Sequence, residues 1–445
     1  MSSRSKTPKQ QARSTVRHTR AIQYDRSKRL NSMPLDPQMT AHLAELIHPV
    51  TLGQVAHFHQ LGLRERVLTL PVMVALVLTM IWRQEGSPTE LVRMLRQEGF
   101  LWCSPLQVTV QALSERLRTF PAALFRRVLE DLLPRMHQRW TPRQRPLPAE
   151  LVAVRQQYRR VWAVDGSTLD ALLRKVGLLR GRTQNPLAGR MTALLDLGSR
   201  LPGKVWYEED PQAHDQRCWP EILAALERGV LLLYDLGYTN FAVFRQLTEA
   251  GVTWLTRAKR NLAYTMDQGL IQTARVRDRL VWIGQGPDHQ RVRLVEVLVG
   301  TTWRRYLTNE LDPSRLGAEQ VVALYAQRWR IEEAYALVKR LLGLAYFWTG
   351  SVNGVELQLW ATWLLYAVLI DLTDAVAERL QRPFAALSVE MVYRSLYYFT
   401  VAYQKDHAHD PVEYLAQNAD WLGVLKRPRK TKPPPAGLLT SPAGP

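Results

Sequence analysis

The chain has 445 residues, room for one to three domains. Hydrophobic residues make up 46% and charged residues 22%, enough apolar surface for a sizeable core, which excludes a wholly disordered chain and a disulfide-built miniprotein. The 59 Lys and Arg exceed the 40 Asp and Glu by 19 charges, an excess that favours a polyanionic partner, either nucleic acid or an acidic membrane surface.

Residues 1–34 read as a basic arm. The first 31 hold nine Lys and Arg against Asp25 alone, so the segment is expected to stay solvated in isolation and to order on a phosphate backbone. Met1 to Leu30 has no apolar core segment, so no signal peptide is expected. Residues 35–148 read as a helical, DNA-binding domain. Ser87-Pro88-Thr89-Glu90 marks one helix start, Ser104-Pro105 another and Phe120-Pro121 a third. The Pro- and Arg-rich run Thr141 to Pro148 closes the unit. Its longest uncharged stretch, Val67 to Trp82, spans sixteen residues, short of the ~20 needed to cross a bilayer. Leu357 to Ile370 is shorter still, and both are expected to be core helices, with no membrane partner.

Residues 149–256 change period. Short apolar runs at Arg160 to Val164, Met191 to Leu197, Lys204 to Tyr207, Val230 to Tyr234 and Val252 to Thr256 alternate with helical stretches at Pro220 to Glu227 and Phe241 to Glu249. That alternation predicts an α/β sheet covered by helices. Residues 257–309 carry strand patterns without helix signals and read as a β-rich insertion. The α/β unit resumes over 310–350, where one long helix is expected from Gly317 to Leu342. Residues 351–425 are helical again, and 426–445 form a basic, Pro-rich tail.

Cys103 and Cys218 are the only cysteines. A reduced intracellular compartment is the simplest reading, although a single disulfide is compatible with the count. The pairs His57/His59 and His407/His409 lack recognised metal-ligand spacing. Gly198-x4-Gly203-Lys204 imitates a phosphate-binding loop, but Val205 stands where Ser or Thr would meet magnesium, and the following residues are strand-like; a hairpin turn is expected.

Two acids sit where ligands gather in α/β sheets. Asp165 and Asp235 each end an apolar strand, in Asp165-Gly166 and Asp235-Leu236-Gly237. Taken alone, each could simply cap a turn. On the expected long helix, Tyr325, Arg328, Glu332 and Lys339 project within about 60° at ~100° per residue, with Leu324, Ile331, Ala334, Leu337, Val338 and Leu341 opposite. A solvated face with an Arg328–Glu332 pair at i, i+4 fits the same spacing.

Tyr325-x2-Arg328-x3-Glu332-x6-Lys339 resembles the Tyr-Arg-Glu-Lys signature of DDE-type bacterial insertion-sequence transposases, the insertion-sequence-four family in particular. Asp165-Gly166-Ser167-Thr168-Leu169 resembles that family's first aspartate motif and Asp235-Leu236-Gly237-Tyr238 its second. Trp254-Leu255-Thr256-Arg257 resembles the strand that follows, and Leu307-Thr308-Asn309 is also typical. The resemblance covers roughly Tyr158 to Leu344.

It implies a ribonuclease-H-like catalytic core with a β-rich insertion, flanked by helical N- and C-terminal regions. Asp165, Asp235 and Glu332 would be the catalytic residues and would ligate two Mg2+ ions, with Mn2+ as substitute. Three carboxylates suit two hard cations ~3.5–4 Å apart at a phosphoryl-transfer site. Tyr325, Arg328 and Lys339 would hold DNA phosphates, and Trp329 and Trp303 could stack on an extruded base, or simply pack. The implied activity is cut-and-paste transposition: binding of inverted-repeat ends of double-stranded DNA, pairing in a homodimer, cleavage, and joining of 3′-hydroxyls to target DNA. The expected location is the bacterial cytoplasm, at the nucleoid. Two rivals remain at this level: a catalytically silent relative acting as a repressor or inhibitor, and a structure-selective nuclease on the same fold.

Overall fold

The computed structural model describes residues 37–63, 66–85, 87–169, 188–344 and 347–427. The expected basic arm and the tail from 428 onward lie outside the described residues. Among the described residues, seven helices precede the sheet: α1 (Pro37–Gly53), α2 (Val55–Gln60), α3 (Leu70–Arg83), α4 (Pro88–Gln97), α5 (Val110–Thr119), α6 (Ala122–Trp140) and α7 (Ala149–Val154). Local chemistry fixes two of the starts. Ser87 accepts the Glu90 N–H and Thr109 the Ala112 N–H, each satisfying a donor that the first helical turn leaves unpaired.

The sheet follows as β1 (Val161–Thr168), β2 (Arg190–Asp196), β3 (Pro202–Glu208), helix α8 (Trp219–Ala225), β4 (Leu231–Tyr234), helix α9 (Phe241–Glu249) and β5 (Thr253–Arg257). These strands lie in the order β3-β2-β1-β4-β5. β2 runs antiparallel to β1 and β3, whereas β1, β4 and β5 are mutually parallel. That order and those senses are a ribonuclease-H-like core. The Gly198–Gly203 segment is the β2–β3 hairpin connection, not a phosphate loop.

Strands β6 (Thr265–Gln272), β7 (Val276–Ile283), β8 (Gln290–Val299) and β9 (Thr302–Thr308) form an antiparallel meander. β9 pairs with β5, so the β-rich segment extends the core sheet to nine strands. The edge of β5 would otherwise present unpaired backbone groups, and Tyr306 to Thr308 satisfy them. A fully buried Arg293–Asp278 pair locks β8 to β7, and Arg293 also donates to the Leu316 carbonyl at 2.6 Å. The head of the next helix is thereby tied to the extension.

Side-chain alternation sorts the sheet's two faces. Val161, Ala163, Leu231, Leu233 and Leu255 join the core shared with the N- and C-terminal helices. Trp162, Val164, Leu232, Tyr234 and Trp254 join a second core with residues of α8 and α9.

The expected single helix from Gly317 to Leu342 is three pieces. Helix α10 (Ala318–Gln327) is followed by α11 (Arg330–Ala336) and a π-helical turn at Leu337–Leu341. Between α10 and α11 the backbone tightens to i→i+3 bonds, such as Ile331 N–H to Arg328 O and Glu332 N–H to Trp329 O. The π turn then loosens it, with Leu342 N–H reaching Leu337 O. A uniform ~100° wheel therefore fails across this segment.

Helices α12 (Val352–Arg379), α13 (Val389–Gln404) and α14 (Pro411–Gln417) complete the described chain. α12 is long and apolar enough to cross a membrane, but its apolar stretch is almost wholly buried in protein. It packs on α6, α3 and α14. Its buried Asp371 and Asp374 pair with Arg143 and Arg145 of the Pro-rich connection, Arg143 reaching Asp371 at 2.9 Å. The N- and C-terminal helices thus share one layer.

Candidate active site

Period two places both aspartates on one face. Asp165 follows Val161 and Ala163, and Asp235 follows Leu231 and Leu233, so each points to the side covered by α10 and α11. Val164 pairs with Tyr234 at the end of the parallel β1–β4 ladder, which makes Asp165 and Asp235 neighbours just beyond it; Asp235 follows the last residue of β4, whereas β1, expected to end at Asp165, continues to Thr168 along β2. Asp165 accepts the Gly166 N–H at 2.8 Å, and Asp235 caps a 3-10 turn through the Leu236 N–H.

The third acid arrives from α11, and one guanidinium joins all three. Arg328 lies 3.0 Å from Asp165 Oδ2, 3.2 Å from Glu332 Oε1 and 3.9 Å from Asp235 Oδ2. Its side chain is only 4% exposed, whereas Asp235 and Glu332 are 45% and 40% exposed. The expected i, i+4 pair exists, but it is not a solvated ornament: it is one edge of a three-acid cluster. Burial pushes the Asp165 carboxyl above the usual range. Arg328 and the Gly166 N–H offset part of that, and Asp235 and Glu332 push it further up. Burial would weaken the Arg328 charge, yet Tyr325 and the three acids hold its pKa above the ordinary value.

The donor set fits a hard divalent cation: three carboxylates from three elements, facing one volume. As arranged, the oxygens converge on Arg328, and among the described residues no three acidic, His or Cys side chains are close enough to enclose an ion. Arg328 holds the oxygen atoms that a cation would take. The solvated-face alternative does not describe Arg328, whose side chain is 4% exposed and engaged by the acids.

The other expected site residues are placed as follows. Tyr325 is buried, its ring 5.2 Å from Tyr306 of β9. Lys339, on the π turn, donates to the Thr168 carbonyl at the end of β1, so it stays on the side of the acids despite the broken helix. Trp329 is 57% exposed beside the cluster, with Arg328 5.4 Å from its ring. Trp303 is in a different setting: it lies opposite Leu298 in the β8–β9 ladder, with Arg277 stacked 4.3 Å above it.

Further residues with a part in the site's architecture were not evident from the sequence. Tyr335 of α11 donates to the Asp165 carbonyl and accepts the Ala193 N–H at 3.0 Å, pinning α11 to β1 and β2. Arg190 and Asp215 form an ion pair against both aspartate motifs. A Cβ at Gly166 would lie 2.3 Å from Arg190 Nη2 and 2.8 Å from Asp215 Oδ1, and one at Gly237 would lie 2.6 Å from Asp215 Oδ2. The signal available in the sequence was a Gly close after each Asp. Asn309 also gains a role, accepting the Trp254 N–H and donating to the Val252 carbonyl, which ties the end of β9 to β5.

A ribonuclease-H-like sheet with aspartates side by side on two adjacent parallel strands and a glutamate from a covering helix is the plan of a DDE-type domain. Residues 163–368 match the family model of the transposase DDE domain, a span that includes Asp165, Asp235 and Glu332. The chain carries a DDE-type transposase domain. Over 175 residues it is 27% identical to the Sinorhizobium fredii protein named "Putative transposase y4zB", covering 36% of this chain and 45% of that one. The match thus spans less than half of the relative's length. A chain from the cryo-EM structure of the piggyBac transposase synaptic complex with hairpin DNA aligns over 88% of both chains, with 11% identity and a TM-score of 0.39. At that similarity the strand order, not the superposition, defines the fold.

Proposed function

We propose that this protein is a cut-and-paste DNA transposase of the insertion-sequence-four type. It binds the inverted-repeat ends of its element in the bacterial nucleoid, pairs them in a homodimer, cleaves them and joins the freed 3′-hydroxyls to target DNA. The observation that carries this reading is the convergence of Asp165, Asp235 and Glu332 on Arg328 within a transposase DDE domain.

In cleavage, water attacks a phosphodiester phosphorus and the P–O bond to the 3′ oxygen breaks, leaving a 3′-hydroxyl and a 5′-phosphate. In joining, that 3′-hydroxyl attacks a target phosphorus, one P–O bond forms, and another breaks to release a target 3′-hydroxyl. Asp165, Asp235 and Glu332 would hold two Mg2+ ions, or Mn2+ in their place. Such ions, when bound, neutralise charge developing on the attacking and leaving oxygens. Arg328 holds the three carboxylates together and oriented until DNA and cations arrive. Its planar fork then passes from carboxylate to phosphate, a geometry Lys does not reproduce. Tyr325 supports that fork from below, Lys339 meets a neighbouring phosphate, and exposed Trp329 offers a stacking face for a base. Trp303 is offered only as a DNA contact on the outer strands.

A second reading is a silent relative that binds DNA without turnover. Its support is the depth of Arg328, which in that case neutralises the acids permanently. Purified protein, a labelled duplex end bearing a free 3′-hydroxyl, a supercoiled target and Mg2+ separate the readings. Covalent end-to-target product supports the transposase. Hydrolysis without joining assigns a nuclease, and end binding with neither product assigns the silent relative.

A further inference from the structure

A cavity of about 400 Å3 lies between α11, the π turn, α12 and the start of α13. The α11 residues that line it, Arg330, Glu333, Ala334 and Ala336, are not those that form the acid cluster. Its walls carry five cations, Arg200, Arg330, Arg340, Arg394 and Lys426. Only two acids, Glu333 and Glu390, face them, which leaves three positive charges in excess.

Arg200 is the most constrained of the five. It stands at the β2–β3 turn with φ of 65°, a left-handed conformation that costs a non-Gly residue of order 1 kcal/mol and persists only where the surroundings impose it. Its side chain is 6% exposed, its guanidinium lies over the Phe384 ring, and its nearest carboxylate, Glu333, is 3.6 Å away, beyond hydrogen-bond reach. Glu333 is itself engaged by Arg330 at 2.6 Å. Arg394 pairs with Glu390, but its Nε–H is buried without a hydrogen-bond partner among the described residues. The first turn of α13, a 16-residue helix, adds the positive end of its dipole at Ser388 and Val389. Burial, with Arg330 nearby, lowers the Arg200 pKa to about 10, so it remains charged at neutral pH while bearing an unfavourable environment that an anion would relieve.

We propose that this cavity binds a phosphate group, carried either by the backbone of bound DNA or by a free polyphosphate. Its volume admits a diphosphate or one phosphodiester with its sugar. The site is separate from the acid cluster, and only its DNA arm rests on the transposase reading.

The test uses the full chain in EDTA, where no metal-dependent turnover occurs, with inorganic pyrophosphate as probe in isothermal titration. One-to-one binding is expected. Arg394→Gln with Lys426→Gln, both nearer the surface, should weaken it about tenfold or more, that is about 1.4 kcal/mol or more, with an unchanged melting curve. Arg200→Met should abolish it; if that variant does not fold, the outer pair still decides. A duplex-DNA arm identifies the source. A log–log salt slope flatter by about 0.9 for each phosphate that the outer pair no longer neutralises assigns the DNA backbone; a slope unchanged in the outer-pair variant, when the wild type binds pyrophosphate and that variant does not, assigns a free polyphosphate. Absence of pyrophosphate binding by the wild type, or wild-type binding by every folded variant, overturns the proposal. Asp165→Asn should leave pyrophosphate binding intact, so a failed joining assay and a failed phosphate site are told apart.

Discussion

Arg328 is the residue on which the site turns. It is nearly buried, contacts Asp165 and Glu332 at hydrogen-bond distance and reaches Asp235 at 3.9 Å. Without it, the half-buried Asp165 keeps only the Gly166 N–H and loses its cationic partner, so Arg328→Ala should lower the stability of metal-free protein by about 2–3 kcal/mol. Divalent cation should recover part of that loss, because a bound ion supplies the positive charge that Arg328 no longer does. Melting curves with and without Mg2+ check both; an equal deficit in both buffers contradicts the account. Asp165 gives a pH signature. Its folded pKa is raised above the ordinary carboxylate value, burial being the main cause. A raised pKa means a contribution to stability that is fully present below the unfolded value and is lost as pH rises through the folded one. In EDTA, the stability of wild type relative to Asp165→Asn should therefore fall as pH climbs from about 4 toward neutrality. A relative gain over that range would show that Arg328 outweighs burial at this carboxylate.

At the scale of elements, α11 is held to the sheet by few but specific contacts. Tyr335→Phe removes the hydroxyl that bridges Asp165 and Ala193, at a cost of about 1–2 kcal/mol. It should also slow joining, since Glu332 rides on the same short helix. Gly166→Ala should displace the Arg190–Asp215 pair and cost about 1–3 kcal/mol by overpacking, read by thermal melting; a neutral effect would mean that the pair yields freely. Much of this level was legible in sequence. Apolar runs ending in Asp-Gly and Asp-Leu-Gly located β1 and β4, although β1 continues to Thr168, and the register that puts both acids on one face came only with the β1–β4 pairing. The helix was less legible. Hydrophobic spacing at 3.6 residues cannot register a tightening at Arg328–Glu332 followed by a π turn at Leu337–Leu341, because the apolar residues Ile331, Ala334 and Val338 remain buried in either case. Nor does local patterning say that β9 will pair with β5: the strands were foreseeable, but the long-range pairing that merges them into the core sheet was not. Arg190 and Asp215 were missed for a similar reason. They are brought to the two glycines by tertiary structure, and neither lies within a motif.

At the scale of the whole molecule, the charge surplus and the acid cluster divide the work. Nine Lys and Arg within residues 1–31 supply an excess that the site itself does not need. Deleting them should weaken duplex binding and flatten the log–log salt slope by about 0.9 for each phosphate left unneutralised; an unchanged slope would leave the arm in solvent. Chemistry should follow the acids instead. Loss of one carboxylate forfeits several kcal/mol of charge stabilisation at the reacting phosphate, equivalent to about 10³-fold or more in rate. Groups that act as one unit are also non-additive. The decisive measurement is strand joining in Mg2+ by Asp165→Asn, Asp235→Asn, Glu332→Gln and the triple variant, each with end affinity determined in parallel. The account predicts that every single variant binds ends as wild type does and joins as poorly as the triple. Near-wild-type joining by any one of the three, with the fold intact, would remove that acid from the site and contradict the account.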